Sequence, residues 1–286
     1  MNQFTIIEPK SQDEFFAMLE EHEDKKVFVM AGGTDIIPLA RARAINPDYL
    51  IDMHCLKANR IIDKEDSISI GALCTFKQLE KSELIRKFFP SFAKAAESVG
   101  AVQTRGLATL GGNICSAVPS FDSAPPLLIY RAVCMLVSAS GSRTVPLVDF
   151  VTGPRRTALK KGEILLEVIL PKPEAGFISD FEKFGRRNAL SLSIVNTAVG
   201  FVVENEVVRN PAVAVGACGA TPLLISEVAN FLNGKKWGDI DVAELDAIVR
   251  AGIKPISDIR ATAEYRSDLA AALVRGSVRK LLGVNL

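Results

Sequence analysis

Ala31-Gly32-Gly33-Thr34-Asp35 and Thr109-Leu110-Gly111-Gly112-Asn113 are the stretches of this chain whose residue types and spacing could do chemistry. Each follows an apolar segment and couples a Gly-Gly pair to a small hydroxyl residue. Adjacent glycines admit positive φ and let another group approach the main chain closely. Successive peptide N–H groups can then converge on an anion. One such turn says little. Two in a single chain suggest a ligand with two phosphates or two ends, such as a dinucleotide.

The segment from Gln103 to Pro126 is the richest in polar and conformationally special residues. Asn113 can turn its amide toward a ligand or tolerate a left-handed backbone. Asp122 lies in a loop flanked by Ser and Pro, where its carboxylate can accept from a ribose or serve as an ordinary turn aspartate. Other chemistries find little support. The only histidines are His22 and His54, and His22 sits among Glu20, Glu21, Glu23 and Asp24 in what reads as a solvated helix end. The five cysteines are scattered, with no C-x-x-C pair, so no disulfide framework, zinc site or iron–sulfur site is signalled. No catalytic side chain and no metal site are expected; a bound cofactor would supply the chemistry.

With 286 residues, 48% of them hydrophobic and 23% charged, the chain can bury a sizeable core in two domains or one large one. A net charge of +1 without a basic block argues against nucleic acid as a partner. No apolar run reaches the roughly 20 residues of a membrane helix, so membrane insertion is not expected. The start, Met1-Asn2-Gln3-Phe4-Thr5, does not read as a signal peptide, and a cytoplasmic location is expected.

The elements that must position these residues follow from periodicity. Ser11-x-x-Glu14 reads as a capping box opening a helix with Phe15, Phe16, Met18 and Leu19 on its apolar face. Val27–Met30 reads as a buried strand running into the first glycine turn, followed by a helical turn over 36–44 and a strand over 49–53. A strand over 67–72 precedes a helix capped by Thr75-x-x-Gln78 and running toward Lys87. Pro90 opens another helix, which ends near Gly100 and leads to a polar connection, Gln103-Thr104-Arg105-Gly106. Strands are expected over 132–139, 143–148 and 164–170. Pro171, Pro173 and Gly176 mark a boundary. Beyond it come strands over 177–184, 194–203 and 213–217, then helices from Ile225 onward. The last of these, over 262–282, places Tyr265, Leu269, Leu273 and Val278 near helical spacing.

Together, A-G-G-T-D and T-L-G-G-N-I-C-x-A-x-P-x-x-D-x-A-P-P resemble the FAD-binding subunit of the molybdenum hydroxylases. The likeness extends along nearly the whole chain. It includes Leu50-Ile51-Asp52, Gly162-Glu163-Ile164-Leu165, Phe184-Gly185-Arg186-Arg187, and Tyr265-Arg266 with Leu269 and Leu273. The fold it implies is α+β: a two-part FAD-binding domain of the vanillyl-alcohol-oxidase/PCMH type, then a domain with a small antiparallel sheet and helices. The corresponding boundaries are 1–174, with subdomains of about 1–56 and 57–174, and 175–286.

The resemblance also implies site residues. Backbone amides from Ala31 through Gly32, Gly33, Thr34 and Asp35 would wrap the FAD pyrophosphate, with Ile36 beside them. Thr109, Gly111, Gly112 and Asn113 would contact the rest of the dinucleotide. Asp122 matches a cofactor-contacting aspartate, and Leu165 a position touching the adenine or ring region. Lys183 matches a lysine near the flavin, although some members carry the lysine one residue earlier, where this chain has Glu182. Cys115 matches an apolar position near the isoalloxazine, where a thiol either packs or tunes the flavin. The chain lacks the inserted cysteines of the benzoyl-CoA-type reductases.

The implied role is an electron relay. Substrate is hydroxylated in a molybdenum-cofactor subunit, and electrons pass through a [2Fe-2S] subunit to FAD here and on to an acceptor such as NAD. A self-sufficient flavin oxidase and a cofactor-free assembly subunit are the rival readings. A Rossmann enzyme ranks low, because neither turn spells G-x-G-x-x-G.

Overall fold

The computed structural model describes residues 4–187 and 190–284; Met1–Gln3 of the N-terminal segment read above lie outside them. Among the described residues three sheets carry the architecture, with one additional short hairpin. The first is parallel, in the order Thr5–Ile7, Tyr49–Asp52, Val27–Met30. Its central strand buries Leu50 and Ile51 completely, as a strand covered on both faces must. The helix Gln12–Glu21 packs here as expected from its cap: Ser11 Oγ accepts from Glu14 N–H at 3.1 Å, and Glu14 reaches back to Lys10 N–H. Phe15 and Phe16 are buried, whereas Met18 and Leu19 are only partly covered. His22 ends this helix with its ring stacked on Tyr49, the centroids 4.2 Å apart.

The second sheet is antiparallel, in the order Ile61–Asp63, Ser67–Gly71, Ile164–Pro171, Val133–Ser138, Gly141–Pro146. The helix expected to run from Thr75 toward Lys87 is two helices, Phe76–Lys81 and Glu83–Phe88, because Ser82 stops one in extended conformation and caps the next. The connection Gln103–Gly106 is mostly helical as well: Val102–Arg105 forms a short turn held by Arg105 Nε on Glu80 at 2.5 Å.

At the edge of this sheet Arg143 grips Glu163 with both Nε and Nη2 at 2.7 Å. The Arg143 contact, strengthened by the Lys160 N–H, lowers Glu163 to about 2 from the ordinary 4.5. A carboxylate lowered in the folded state favours folding above its unfolded pKa and loses that contribution as it protonates. Stability is therefore expected to fall between about pH 4.5 and about pH 2. Denaturant melts across that window should show Glu163→Gln with a flatter acid limb than the parent.

The third sheet is antiparallel, in the order Phe177–Gly185, Ser193–Glu204, Val207–Gly216, Leu223–Leu224. The strand read as 213–217 starts earlier, at Val207, because a register shift between Gly200 and Val202 accommodates Asn210 at φ 48° ahead of Pro211. Helices Ser226–Leu232, Val242–Ala251 and Ala263–Leu281 cover one face around a second core centred on Val195, Val199, Phe201, Val213 and Val274.

The last helix forms where its spacing suggests and brings Leu269, Leu273 and Val278 to the core, but not Tyr265. Arg266, Ala270, Ala271, Val274, Ser277 and Val278 are buried, while Tyr265 stands out in solvent and Leu269 and Leu273 flank the core. Arg266, 1% exposed, donates to Ile194 O at 2.5 Å, Ala217 O at 3.2 Å and Asp258 at 2.8 Å. Arg260, with Arg266, holds Asp258 well below the usual carboxylate range. These bonds from Nη1 and Nη2 fix the rotation of the helix, while Nε has no partner among the described residues.

Charged groups also join helix Pro90–Ser98 to the third sheet and its last helix. Asp180 accepts from Lys94 of helix Pro90–Ser98 at 3.1 Å and from Lys280 at 2.9 Å. Burial would raise Asp180, but the two ammonium groups outweigh it and the net shift is downward. No helix of the described residues is long and apolar enough to cross a membrane.

Candidate functional site

The strand Val27–Met30 delivers the chain directly into Ala31–Asp35, and its parallel neighbour ends at the same edge. Gly33 has φ +70°, a left-handed conformation that suits glycine. Gly32 has no room for a side chain: a Cβ there would lie 1.7 Å from Leu107 O. The turn is thus pressed against the segment that leads into the second glycine pair. The peptide N–H groups of Ala31 through Asp35 donate to no acceptor among the described residues. A row of unpaired amides at a left-handed glycine leaves donors of the kind that can hold an anion. Ile36 begins the helix Ile36–Arg41 behind it, and Thr34 is exposed.

The second glycine pair is built differently from the turn the sequence suggested. It is the first turn of a helix, Leu110–Ser116, and Thr109 is its N-cap. Its amides are all spoken for. Leu110 donates to Cys74 O at 2.9 Å, Gly111 to Ala72 O at 2.8 Å, Gly112 to Thr109 Oγ1 at 3.1 Å and Asn113 to Thr109 O at 3.0 Å. The glycines here serve close packing: a Cβ on Gly111 would fall 2.5 Å from Ala72 Cβ, and one on Gly112 would reach within 4.0 Å of Ala31. The two motifs are therefore brought face to face, one offering free amides and the other a smooth, filled wall.

Asn113 and Asp122 extend the site toward the third sheet. Ser123 Oγ donates to Asn113 Oδ1 at 2.6 Å, which leaves the Asn113 amide nitrogen without a partner among the described residues. Asp122, 8% exposed, accepts from Lys183 Nζ at 2.6 Å, Ser193 Oγ at 2.5 Å and Asn196 Nδ2 at 2.9 Å. Lys183 also donates to Ser98 O at 3.0 Å. Strand alternation sends Glu182 the other way, onto Lys94 at 2.8 Å. Lys183, not Glu182, is thus the side chain on the Asp122 side.

Leu165 lies in the first core, 3% exposed, next to a register shift in its strand. Cys115 packs against that same core, and burial pushes its thiol up to about 12. It stays protonated at neutral pH and behaves as a small apolar group. Asp35 sits at the N-cap of helix Ile36–Arg41 yet makes no cap bond; instead Oδ2 accepts from Ser116 Oγ at 2.8 Å and Arg155 Nη1 at 3.1 Å. Sequence reasoning missed Ser116, Ser123, Arg155, Ser193 and Asn196. Single polar residues in unpatterned loops carry no signal until the fold collects them.

The family model described as "FAD binding domain in molybdopterin dehydrogenase" matches residues 2–173, and "CO dehydrogenase flavoprotein C-terminal domain" matches 179–281. The nicotinate dehydrogenase FAD-subunit of Eubacterium barkeri is 34% identical over 239 residues, 82% of this chain and 81% of that one. The glyceraldehyde dehydrogenase medium chain of Sulfolobus acidocaldarius is 28% identical over 280 residues, 98% of each chain. A chain of the carbon monoxide dehydrogenase from Hydrogenophaga pseudoflava superposes with a TM-score of 0.94 at 25% identity, covering 100% of this chain and 99% of that one.

The α+β architecture is that of these relatives, and the cofactor of the domain family is FAD. The residues present suit such a group, since the unpaired amides of Ala31–Asp35 match an anionic diphosphate in donor type and the Asn113 amide nitrogen adds another donor. Fold, motif geometry and family match over most of the length agree: the chain belongs to the FAD-binding medium subunits of the molybdenum hydroxylase family, an oxidoreductase lineage.

Proposed function

We propose that this chain is the electron-transfer flavoprotein subunit of a multi-subunit molybdenum hydroxylase of the cytoplasm. Its partners are a molybdenum-cofactor subunit and a [2Fe-2S] subunit, and electrons leave to an acceptor such as NAD. The observation that carries the reading is the cradle of unpaired amides at Ala31–Asp35, set against the helix that opens at Thr109. FAD, when bound, supplies the redox centre of this chain. Ala31–Asp35 hold its diphosphate through backbone N–H groups, with Ile36 behind them, and Asn113 orients it through an amide held by Ser123. Thr109, Gly111 and Gly112 shape the facing wall, and Leu165 and Cys115 pack beneath it.

Asp122 and Lys183 bind the second half of the site together as an internal ion pair. The domain division that goes with this reading is 1–174 for the FAD-binding domain, with subdomains of about 1–56 and 57–174, and 175–286 for the C-terminal domain. Among the described residues no group of three or more His, Cys, Asp or Glu side chains could hold a metal ion.

The purified full chain, mixed with FAD and desalted, is expected to retain one flavin per chain, and a colourless product would overturn the reading. Adding NADH to the loaded chain should bleach the flavin absorbance. A flavin that stays oxidised under NADH would remove NAD as the acceptor.

A further inference from the structure

We propose that Arg155 is a cofactor-site residue whose guanidinium balances the Asp35 carboxylate, so that a diphosphate can occupy the amide cradle beside it. The inference rests on the FAD reading above and extends it to a residue outside both glycine motifs. Asp35 poses an electrostatic problem: it places a carboxylate at the end of the row of amides that would face an anion. It is at an N-cap position but does not cap its helix. Its side chain instead accepts from Arg155 Nη1 at 3.1 Å and Ser116 Oγ at 2.8 Å, both far along the chain. An exposed ion pair is ordinarily worth little to stability, so packing alone is a weak reason for this one.

The backbone at Arg155 supplies the second observation. Arg155 sits at φ 54°, on the turn between strands Val151–Gly153 and Arg156–Thr157, where glycine would be the unstrained residue. Its N–H donates at 2.8 Å to the carbonyl of Ala117, itself left-handed at φ 45° at the end of the helix that begins at Thr109. Two facing non-glycine residues in that conformation lock the turn against the helix. The lock carries the guanidinium to Asp35. The chain thus accepts strain at a site where an arginine side chain, and not glycine, is wanted.

This strain makes Arg155→Gly an informative variant, since glycine suits φ 54° and removes only the side chain. The flavin-free full chain with Arg155→Gly should melt no lower than the parent, yet its Kd for FAD should rise about tenfold, as an unbalanced neighbouring charge implies. Arg155→Lys should retain most of the affinity. The double variant Arg155→Gly with Asp35→Asn should recover it, because the charge needing balance is gone. Parent-like FAD binding by Arg155→Gly would overturn the proposal, and so would a double variant as weak as Arg155→Gly. Gly33→Val separates the two levels. If it also binds FAD like the parent, the cradle reading fails; if it loses FAD while Arg155→Gly does not, only the role of Arg155 fails.

Discussion

Gly32→Ala is expected to abolish FAD retention, and by the largest margin of any single-methyl change in the chain. The added Cβ would lie 1.7 Å from Leu107 O and 2.6 Å from the Leu107 carbonyl carbon, both backbone atoms that cannot swing aside. The turn and the segment entering helix Leu110–Ser116 must then separate. That separation pulls the unpaired amides of Ala31–Asp35 away from Asn113. Overpacking of this kind typically costs about 1–3 kcal/mol, and more where backbone must move. The third sheet and its helices form their own core and should be untouched. Flavin absorbance per chain after desalting, compared with far-ultraviolet circular dichroism, checks the result. A folded, fully flavinated Gly32→Ala chain would show that the close approach does not shape the site.

Asp122→Ala is expected to have the largest effect on stability, about 3–5 kcal/mol, the usual loss when one partner of a buried ion pair is removed. The carboxylate collects three donors, from Lys183, Ser193 and Asn196, all on the strands of the third sheet or at their ends. Removing it strands the Lys183 ammonium, whose side chain is 13% exposed, with only Ser98 O as partner. It also frees two neutral donors. Chemical denaturation should locate the loss, and adding Lys183→Met to Asp122→Ala should recover part of it. If Asp122→Ala alone matched the parent in denaturation midpoint, the pair would be energetically idle.

Much of the fold could be read in the sequence because its signals are local. The cap at Ser11, the strand Val27–Met30 and the cap at Thr75 each depend on residues a few positions apart. The last helix shows the limit of that kind of reading. Its apolar residues Leu269, Leu273 and Val278 do meet the core, but Arg266 enters it as well and Tyr265 does not, because the partners of Arg266, at Ile194, Ala217 and Asp258, lie on other elements. Long-range pairing adds there to what hydrophobic spacing shows. Ser82 likewise splits a continuous helical pattern, since its hydroxyl caps Ile85 and rewards a break.

The glycine motifs divide in the same way. Sequence alone determined that this chain carries two Gly-Gly segments with the family pattern around them, because φ freedom and residue type are properties of the residues themselves. Only the tertiary structure decided that the two work differently. Whether an amide is free to bind an anion depends on which carbonyls lie opposite it. Ala72 and Cys74, far from Gly111 in sequence, take the amides of Gly111 and Leu110, and Thr109 takes those of Gly112 and Asn113. Among the described residues no acceptor reaches those of Ala31–Asp35, and the strained turn at Arg155 brings a cation to their edge. Donor type is written residue by residue, whereas the supply of acceptors and countercharge is set by packing.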